Sequence, residues 1–527
     1  MSTMVRNGSG EPKLSPAPTD KTPSSSAAVV LKMAVMEPQP PLELIRNLCQ
    51  KLSSEGIAYC HWKSNAMLDR SAVGDNDLDL LVGRADVHRF TDILCRLGFT
   101  RVQGPPEAQM PGVVDYYGHD PQADKWVHVH AHYQLILGHD ATKNYHLPIE
   151  RPYLESAVQS DLFKVPAPEF ELVVFVIRMV LKHSTWDAIL GRQGALSAAE
   201  RQELEYLQTQ VSPTWMYVYD ILNQYMPLLD VTLFDDCMRS LQPNCPFGTR
   251  VKVGQRLQNR LRAHARQSRM ADLGLKLWRR AAGTVRRRIL GRVPRKRMAD
   301  GGLMVALVGG DGAGKSTAVD ELYTWLSRDF ETIKVHMGKP AWSRTTVAVR
   351  GVLKIGRSLG LYPYMRGPVQ PTLEADLSVF PGYPWLLRQV CTARDRYLTY
   401  AKARRFATNG GLAICDRFPL PRVMSTDGPE CEQMTSPCEA NRFIRFLAGL
   451  ETKYYQQIMP PDLLVVLRVD PEIAVERRPD EDEASVRRRS AEVWQLDWEQ
   501  IPAHVIDAHR PKAEVLAELK ALVWSEL

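Results

Sequence analysis

The sequence predicts an α/β protein, with a parallel sheet flanked by helices over residues 301–527 and a smaller α+β module before it over 42–245. Three observations predict this. The apolar run Val305-Ala-Leu-Val308 feeds a glycine-rich turn, Gly309-x-x-x-x-Gly314-Lys315-Ser316, and Val319, Leu322, Trp325 and Leu326 follow at helical spacing. A second apolar run, Gly410-Gly-Leu-Ala-Ile-Cys-Asp416-Arg417, has the character of a buried parallel strand and ends in a charged pair. The third is Gly74-Asp-Asn-Asp77-Leu-Asp79-Leu-Leu-Val82, in which carboxylates alternate along a strand, so that Asp77 and Asp79 share one face.

Each element carries a chemical expectation. Glycines at 309, 310, 312 and 314 let backbone amides turn inward around phosphate oxygens. A helix beginning there adds the positive end of its dipole. Lys315 then reaches the terminal phosphates, and Ser316 is placed to ligate Mg²⁺. The expected nucleotide-binding residues are Gly309, Gly310, Asp311, Gly312, Ala313, Gly314, Lys315, Ser316 and Thr317, with ATP and Mg²⁺ as cofactors. The second run delivers Asp416 to the C-terminal edge of the sheet, where ligands bind in open α/β folds. Asp416 can organise Mg²⁺ or its waters, and Arg417 and Arg396 can clamp an acceptor phosphate.

The loop Gly310-Asp-Gly-Ala-Gly-Lys-Ser-Thr317 resembles that of the thymidylate kinase family. Three further segments match the same family in the same order: Ala393-Arg-Asp-Arg396, Gly410 to Phe418, and Pro461-Asp-Leu through Pro471-Glu472 to Arg478. The resemblance spans about residues 301–527. It implies an ATP- and Mg²⁺-dependent nucleoside monophosphate kinase, dTMP being the acceptor it suggests. It also implies a sugar contact for Asp311 and a lid over ATP carrying Arg477, Arg478, Arg487, Arg488 and Arg489. Two segments depart from the pattern. Phe418 to Pro429 replaces the Ser-rich, Gln-bearing segment that reads thymine, and a long insert rich in aromatics and Pro fills 340–390. The transfer machinery is therefore expected without an evident base-reading one. A sugar, glycan or lipid-linked acceptor at a membrane, and a non-catalytic nucleotide switch, stand as alternatives.

Residues 42–245 open with a helical pattern (Leu44, Ile45, Leu48), then a strand entering Trp62-Lys63-Ser64-Asn65, then the Asp77-x-Asp79 strand. Paired carboxylates on one face suit one or two Mg²⁺ ions. The arrangement resembles the minimal nucleotidyltransferase family, with Lys63-Ser64 and Asp77/Asp79 at its motif positions. That family adds a third carboxylate on a later strand, where this chain reads Val127-His128-Val-His130-Ala-His132. A degenerate, non-catalytic binding module, an active transferase whose histidines help bind a metal, and a hydrogen-bonded polar strand face stand as alternatives. Phe170 to His183 reads as a buried helix.

Hydrophobic content of 44% and charged content of 24% are ordinary globular values. No apolar run is long enough to span a membrane. The Ser/Pro-rich stretch over 1–41 lacks a signal-peptide pattern and is expected as a disordered tail. Nine scattered cysteines without metal spacing fit a reducing cytoplasm. Residues 250–300 hold 17 Lys and Arg against two Asp, a local +15 in a chain of net +7. This stretch lies in the expected basic helical linker, 246–300. Within it Trp278, Ala281, Ala282, Val285, Ile289 and Val293 fall on one helical face among arginines. Packing of that stripe on the C-terminal module, and peripheral contact of 273–297 with an anionic membrane, are both consistent with this pattern. No nucleic-acid-binding signature is present, so nucleic acid is not an expected partner.

Overall fold

The structure, a computed structural model, describes residues 39–184, 196–289, 291, 293, 295–361, 382–420, 428, 429, 431 and 441–527. Residues 1–38 of the expected tail, 362–381 of the insert and 421–427 after Asp416-Arg417 lie outside the described residues.

The N-terminal module is built on strands β1 (Tyr59–His61), β2 (Leu78–Val82), β3 (Thr100–Gln103), β4 (Val113–Asp120) and β5 (Lys125–His132). Short hairpins β6 (Leu135–Leu137) with β7 (Tyr145–Leu147), and β8 (Val158–Ser160) with β9 (Phe163–Val165), follow. β10 (Arg297–Met298) returns much later to complete a six-stranded sheet in the order β1-β2-β5-β4-β3-β10. Period-two alternation sorts its two faces. Leu78, Leu80, Val82, Val127, Val129 and Ala131 join Ile45, Leu48, Phe90 and Leu94 of the helices Glu43–Ser54 and Val87–Arg96 in one core. The intervening Asp79, His128, His130 and His132 point to the opposite face.

The Pro168–His183 helix is buried nearly all round, as its unbroken apolar sequence requires. Helices Ala198–Val211, Trp215–Tyr225, Val231–Ser240 and Phe247–Arg260 pack about it. The last of these lies in the expected linker, yet Val253, Leu257 and Leu261 belong to the same core. The following helix, Arg269–Thr284, is seated the opposite way from the expected packing. Its polar side faces the protein: Asp272 and Lys276 form a buried 2.7 Å ion pair, and Arg279 donates to the carbonyls of Ala141 (2.6 Å) and Gln109 (2.7 Å). Arg286 pairs with Glu107 at 2.7 Å. Its apolar side faces outward, leaving Leu277 59%, Trp278 51% and Ile289 74% exposed. Among the described residues no helix is long and apolar enough to cross a membrane.

β11 (Leu303–Gly309), β12 (Thr332–His336), β13 (Leu412–Asp416), β14 (Leu463–Arg468) and β15 (His504–Asp507) form a five-stranded, all-parallel sheet in the order β12-β13-β11-β14-β15. Helices Lys315–Leu326 and Lys512–Ser525 cover one face and Tyr383–Thr408 the other. Both faces being covered explains why these strands read as continuous apolar runs.

The N-terminal sheet meets the helical layer of the C-terminal module through aromatics. The Trp126 ring of β5 stacks on Trp325 at 4.5 Å and meets Trp524 at 4.6 Å and Phe330 at 5.3 Å; Tyr117 of β4 meets Phe330 at 5.1 Å. Such pairs add about 0.5–1.5 kcal/mol each beyond the area they bury.

Candidate active site

β11 is hydrogen-bonded along both edges, to β13 and to β14, with Leu307 opposite Asp416 and Gly309 opposite Leu467. This register puts the glycine loop and Asp416 on adjacent strand ends. Gly314 adopts φ +81° immediately before the helix, a backbone that a side chain strongly disfavours. A Cβ on Gly310 would stand 2.7 Å from the Cα of Ser490, so a glycine is what lets the Glu483–Gln495 helix lie against the loop.

Lys315 opens the helix and folds its ammonium back onto the carbonyl of Gly310, at 2.6 Å. Burial pushes its pKa down to about 8, and Arg417 adds to this while Asp311 and Asp416 oppose it. Ser316 and Thr317 lie exposed in the first turn, while Ala313 is buried beneath the loop. Asp416 is buried and its Oδ1 has no hydrogen-bond partner within the protein. A buried carboxylate oxygen without a donor is costly unless a cation or water meets it. The orphaned Asp416 oxygen is a donor of the type Mg²⁺ prefers.

Arg417 is held in the left-handed region, φ +58°, its amide donating to Leu307 O at 3.2 Å. A non-glycine residue there costs about 1–3 kcal/mol and persists where surroundings enforce it, characteristically at functional sites. Its guanidinium stands 3.9 Å from Asp311, which also pairs with Arg489 at 2.6 Å. Arg477 reaches the carbonyls of Gly312 (3.3 Å) and Ala508 (3.1 Å), whereas Arg478 turns to Glu481 at 2.9 Å. Arg487 binds Glu472 and Glu483. The arginine segment therefore leans on the loop through Arg477 and Arg489.

Arg396 holds the turn whose Met337 amide donates to the carbonyl of Asp416 at 2.9 Å. Its guanidinium donates to the carbonyls of Met337 (3.1 Å) and Gly338 (3.3 Å) and to the Tyr455 hydroxyl, fixing the turn after β12. Its neighbour Asp395, which sequence reasoning passed over, is buried with one oxygen unpartnered.

A second cluster lies on the N-terminal sheet. Lys63 pairs with Asp79 at 2.8 Å. Asp77, just before β2, meets Nδ1 of His128 at 2.8 Å and Nε2 of His130 at 3.4 Å. A further carboxylate comes from β4: Asp115 is directly opposite His130 in the ladder, 3.3 Å from His128 Nε2 and 3.5 Å from His130 Nδ1. Burial works against ionisation of Asp77 and Asp115, but hydrogen bonds from the imidazoles outweigh it and hold both carboxyls below their ordinary range. Only the register of β4 against β5 reveals Asp115; its sequence signal is a lone carboxylate in the run Val113 to Tyr117.

No family model matches the chain. It is similar to the uncharacterized ATP-binding protein YghR of Escherichia coli strain K12, 26% identical over 227 residues, covering 42% of this chain and 86% of the relative. It is also similar to the uncharacterized ATP-binding protein YghS of the same strain, 29% identical over 224 residues, covering 42% of this chain and 92% of the relative.

The lowered pKa of Lys315 makes a stability prediction with a definite sign. Between about 8 and 10.5 the unfolded chain holds a proton on this amine that the folded chain does not. Stability therefore gains a contribution as pH rises through that window. Denaturant titrations at pH values on either side of it should show this gain in the wild type and its loss in Lys315→Met; identical pH dependence of the two proteins would contradict the burial assigned to Lys315.

Proposed function

We propose that the chain is an ATP- and Mg²⁺-dependent phosphotransferase whose transfer site lies between the Gly309–Thr317 loop and the Asp416-Arg417 strand end. The observation that carries this reading is the buried Asp416 carboxylate, with an unpartnered oxygen, on the strand beside the loop that holds Lys315. Two relatives named as ATP-binding proteins support the nucleotide part.

The chemistry asked of the protein is positioning and charge neutralisation. Lys315 leaves the Gly310 carbonyl to meet the migrating phosphoryl group, and the amides of the helix start surround its oxygens. Mg²⁺, when bound by Ser316 and Asp416, would supply further neutralisation. Arg417, and Arg477 and Arg489 from the segment against the loop, are near enough to add positive charge as water is excluded. An oxygen of the acceptor bonds to the γ-phosphorus as the bridging oxygen leaves with ADP. The resemblance of residues 393–396, 410–418 and 461–478 supports a nucleoside monophosphate as acceptor. Arg396 acts in this reading by fixing the Met337-Gly338 turn at the cleft's edge.

ADP release from ATP and Mg²⁺ across a panel of nucleoside monophosphates tests this. Stimulation by one acceptor, falling at least about 100-fold in Lys315→Ala, is the expected result. Normal turnover by that variant would defeat the assignment. A flat panel with tight ATP binding would favour a non-nucleotide acceptor or a nucleotide switch.

A second reading concerns location. The outward apolar side of the Arg269–Thr284 helix, flanked by exposed Arg287 and Arg288, supports peripheral contact with an anionic bilayer. The full chain should co-sediment with phosphatidylserine vesicles at low salt and lose this in Leu277→Glu/Trp278→Glu. Equal sedimentation of wild type and variant would rule it out.

A further inference from the structure

The histidine row of β5 has no part in the phosphotransferase reading, yet its geometry is that of a ligand set. Asp77, His128 and His130 each offer a ligand atom, and all three atoms lie within 4.8 Å of one another. Asp115 approaches the opposite nitrogen of each ring from β4, His128 Nε2 at 3.3 Å and His130 Nδ1 at 3.5 Å, and so orients the imidazoles. Donor atoms around a tetrahedral first-row ion, at bonds of about 2.0–2.1 Å, stand about 3.3 Å apart. The Asp77 carboxylate stands 2.8 Å from His128 Nδ1 and 3.4 Å from His130 Nε2, separations that need only small side-chain shifts to accept an ion.

The donor types narrow the choice of ion. A Mg²⁺ site on Asp77 and Asp79 would use oxygen ligands and retained waters. Here Lys63 neutralises Asp79 at 2.8 Å, and Asp77 faces two imidazoles instead of its fellow carboxylate. Imidazole nitrogens beside carboxylates suit borderline first-row ions. A further imidazole marks the inner end of the same row. His132 is 2% exposed, and its Nε2 has no hydrogen-bond partner although it points toward Asp79, 3.5 Å away.

We propose that Asp77, His128 and His130 form a three-residue binding site for a divalent first-row transition ion such as Zn²⁺ or Mn²⁺, with Asp115 holding the two imidazoles through their other nitrogens. Strand register fixes the site: β5 brings both histidines to one face, and β4 and the entry to β2 bring a carboxylate from each side. Tyr117 stacks on His128 at 4.3 Å, and Lys296, just ahead of β10, reaches His128 Nε2 at 2.8 Å and the Tyr117 hydroxyl at 2.9 Å. The backbone of Lys296 meanwhile pairs with Asp329 and Glu331 beside β12. The site is thus wired to the chain that enters the C-terminal module.

The test uses the full chain, stripped with chelator and titrated separately with Zn²⁺, Mn²⁺ and Mg²⁺ by calorimetry. Expected is one equivalent of Zn²⁺ or Mn²⁺, bound at least about 100-fold more tightly than Mg²⁺. His130→Ala and Asp77→Asn, both partly exposed positions, should each weaken binding at least about tenfold, with unchanged thermal unfolding of the metal-free proteins as the control for folding. No saturable binding, or binding that survives both substitutions in folded protein, would overturn the site and leave the cluster a hydrogen-bonded network. ADP release plays no part in this readout, so the metal site and the phosphotransferase reading stand or fall separately.

Discussion

The two-sided pairing of β11 is the constraint on which the rest of the nucleotide cleft depends. A strand held by β13 on one edge and β14 on the other cannot slip without moving every apolar side chain of the run Leu303 to Val308 to the wrong layer. That rigidity sets the height at which the glycine loop leaves the sheet. It also sets the distance from the loop to Asp416, two ladder positions back on the neighbouring strand. Lys315, with its ammonium tucked under the loop, and Arg417, strained into a left-handed backbone, are both consequences of the fixed register. The segment carrying Arg477 and Arg489 can approach only because residue 310 is a glycine.

A second constraint joins the halves. β10 belongs to the N-terminal sheet by its pairing with β3, yet the amide of Met298 donates to Gly410 O at the foot of β13. Five residues after β10 the chain is already in β11. The aromatic group of Trp126, Trp325, Phe330 and Trp524 fills the space beside this crossing. The histidine cluster and the loop of Lys315 therefore sit on one continuous core, which includes Tyr117 and Val102 from the N-terminal sheet.

Much of this was legible in the sequence because it is local. The run into Gly309, the apolar strand ending at Asp416, and the Phe170 to His183 helix all carry their burial in their own residue order. What was not legible depends on partners far away in the chain. Asp115 joins the histidines only through strand register, and Arg396 finds its carbonyls on a turn 58 residues distant. The stripe of Trp278 and Ile289 was readable as a stripe, but periodicity does not say which side of a helix faces the protein. Here the polar side faces the protein, with Arg279 bonded to the carbonyls of Ala141 and Gln109 and Arg286 paired with Glu107. The 246–300 stretch reads as a basic linker by composition, yet Val253 and Leu257 are enough to seat one of its helices in the N-terminal core.

The most direct test of the central claim follows the label of γ-radiolabelled ATP incubated with the full chain, Mg²⁺ and a fractionated small-molecule extract. The account predicts that label leaves ATP for a discrete acceptor, and that Asp416→Asn and Lys315→Ala both prevent it. Label that stays on ATP, or appears only as inorganic phosphate, would contradict it.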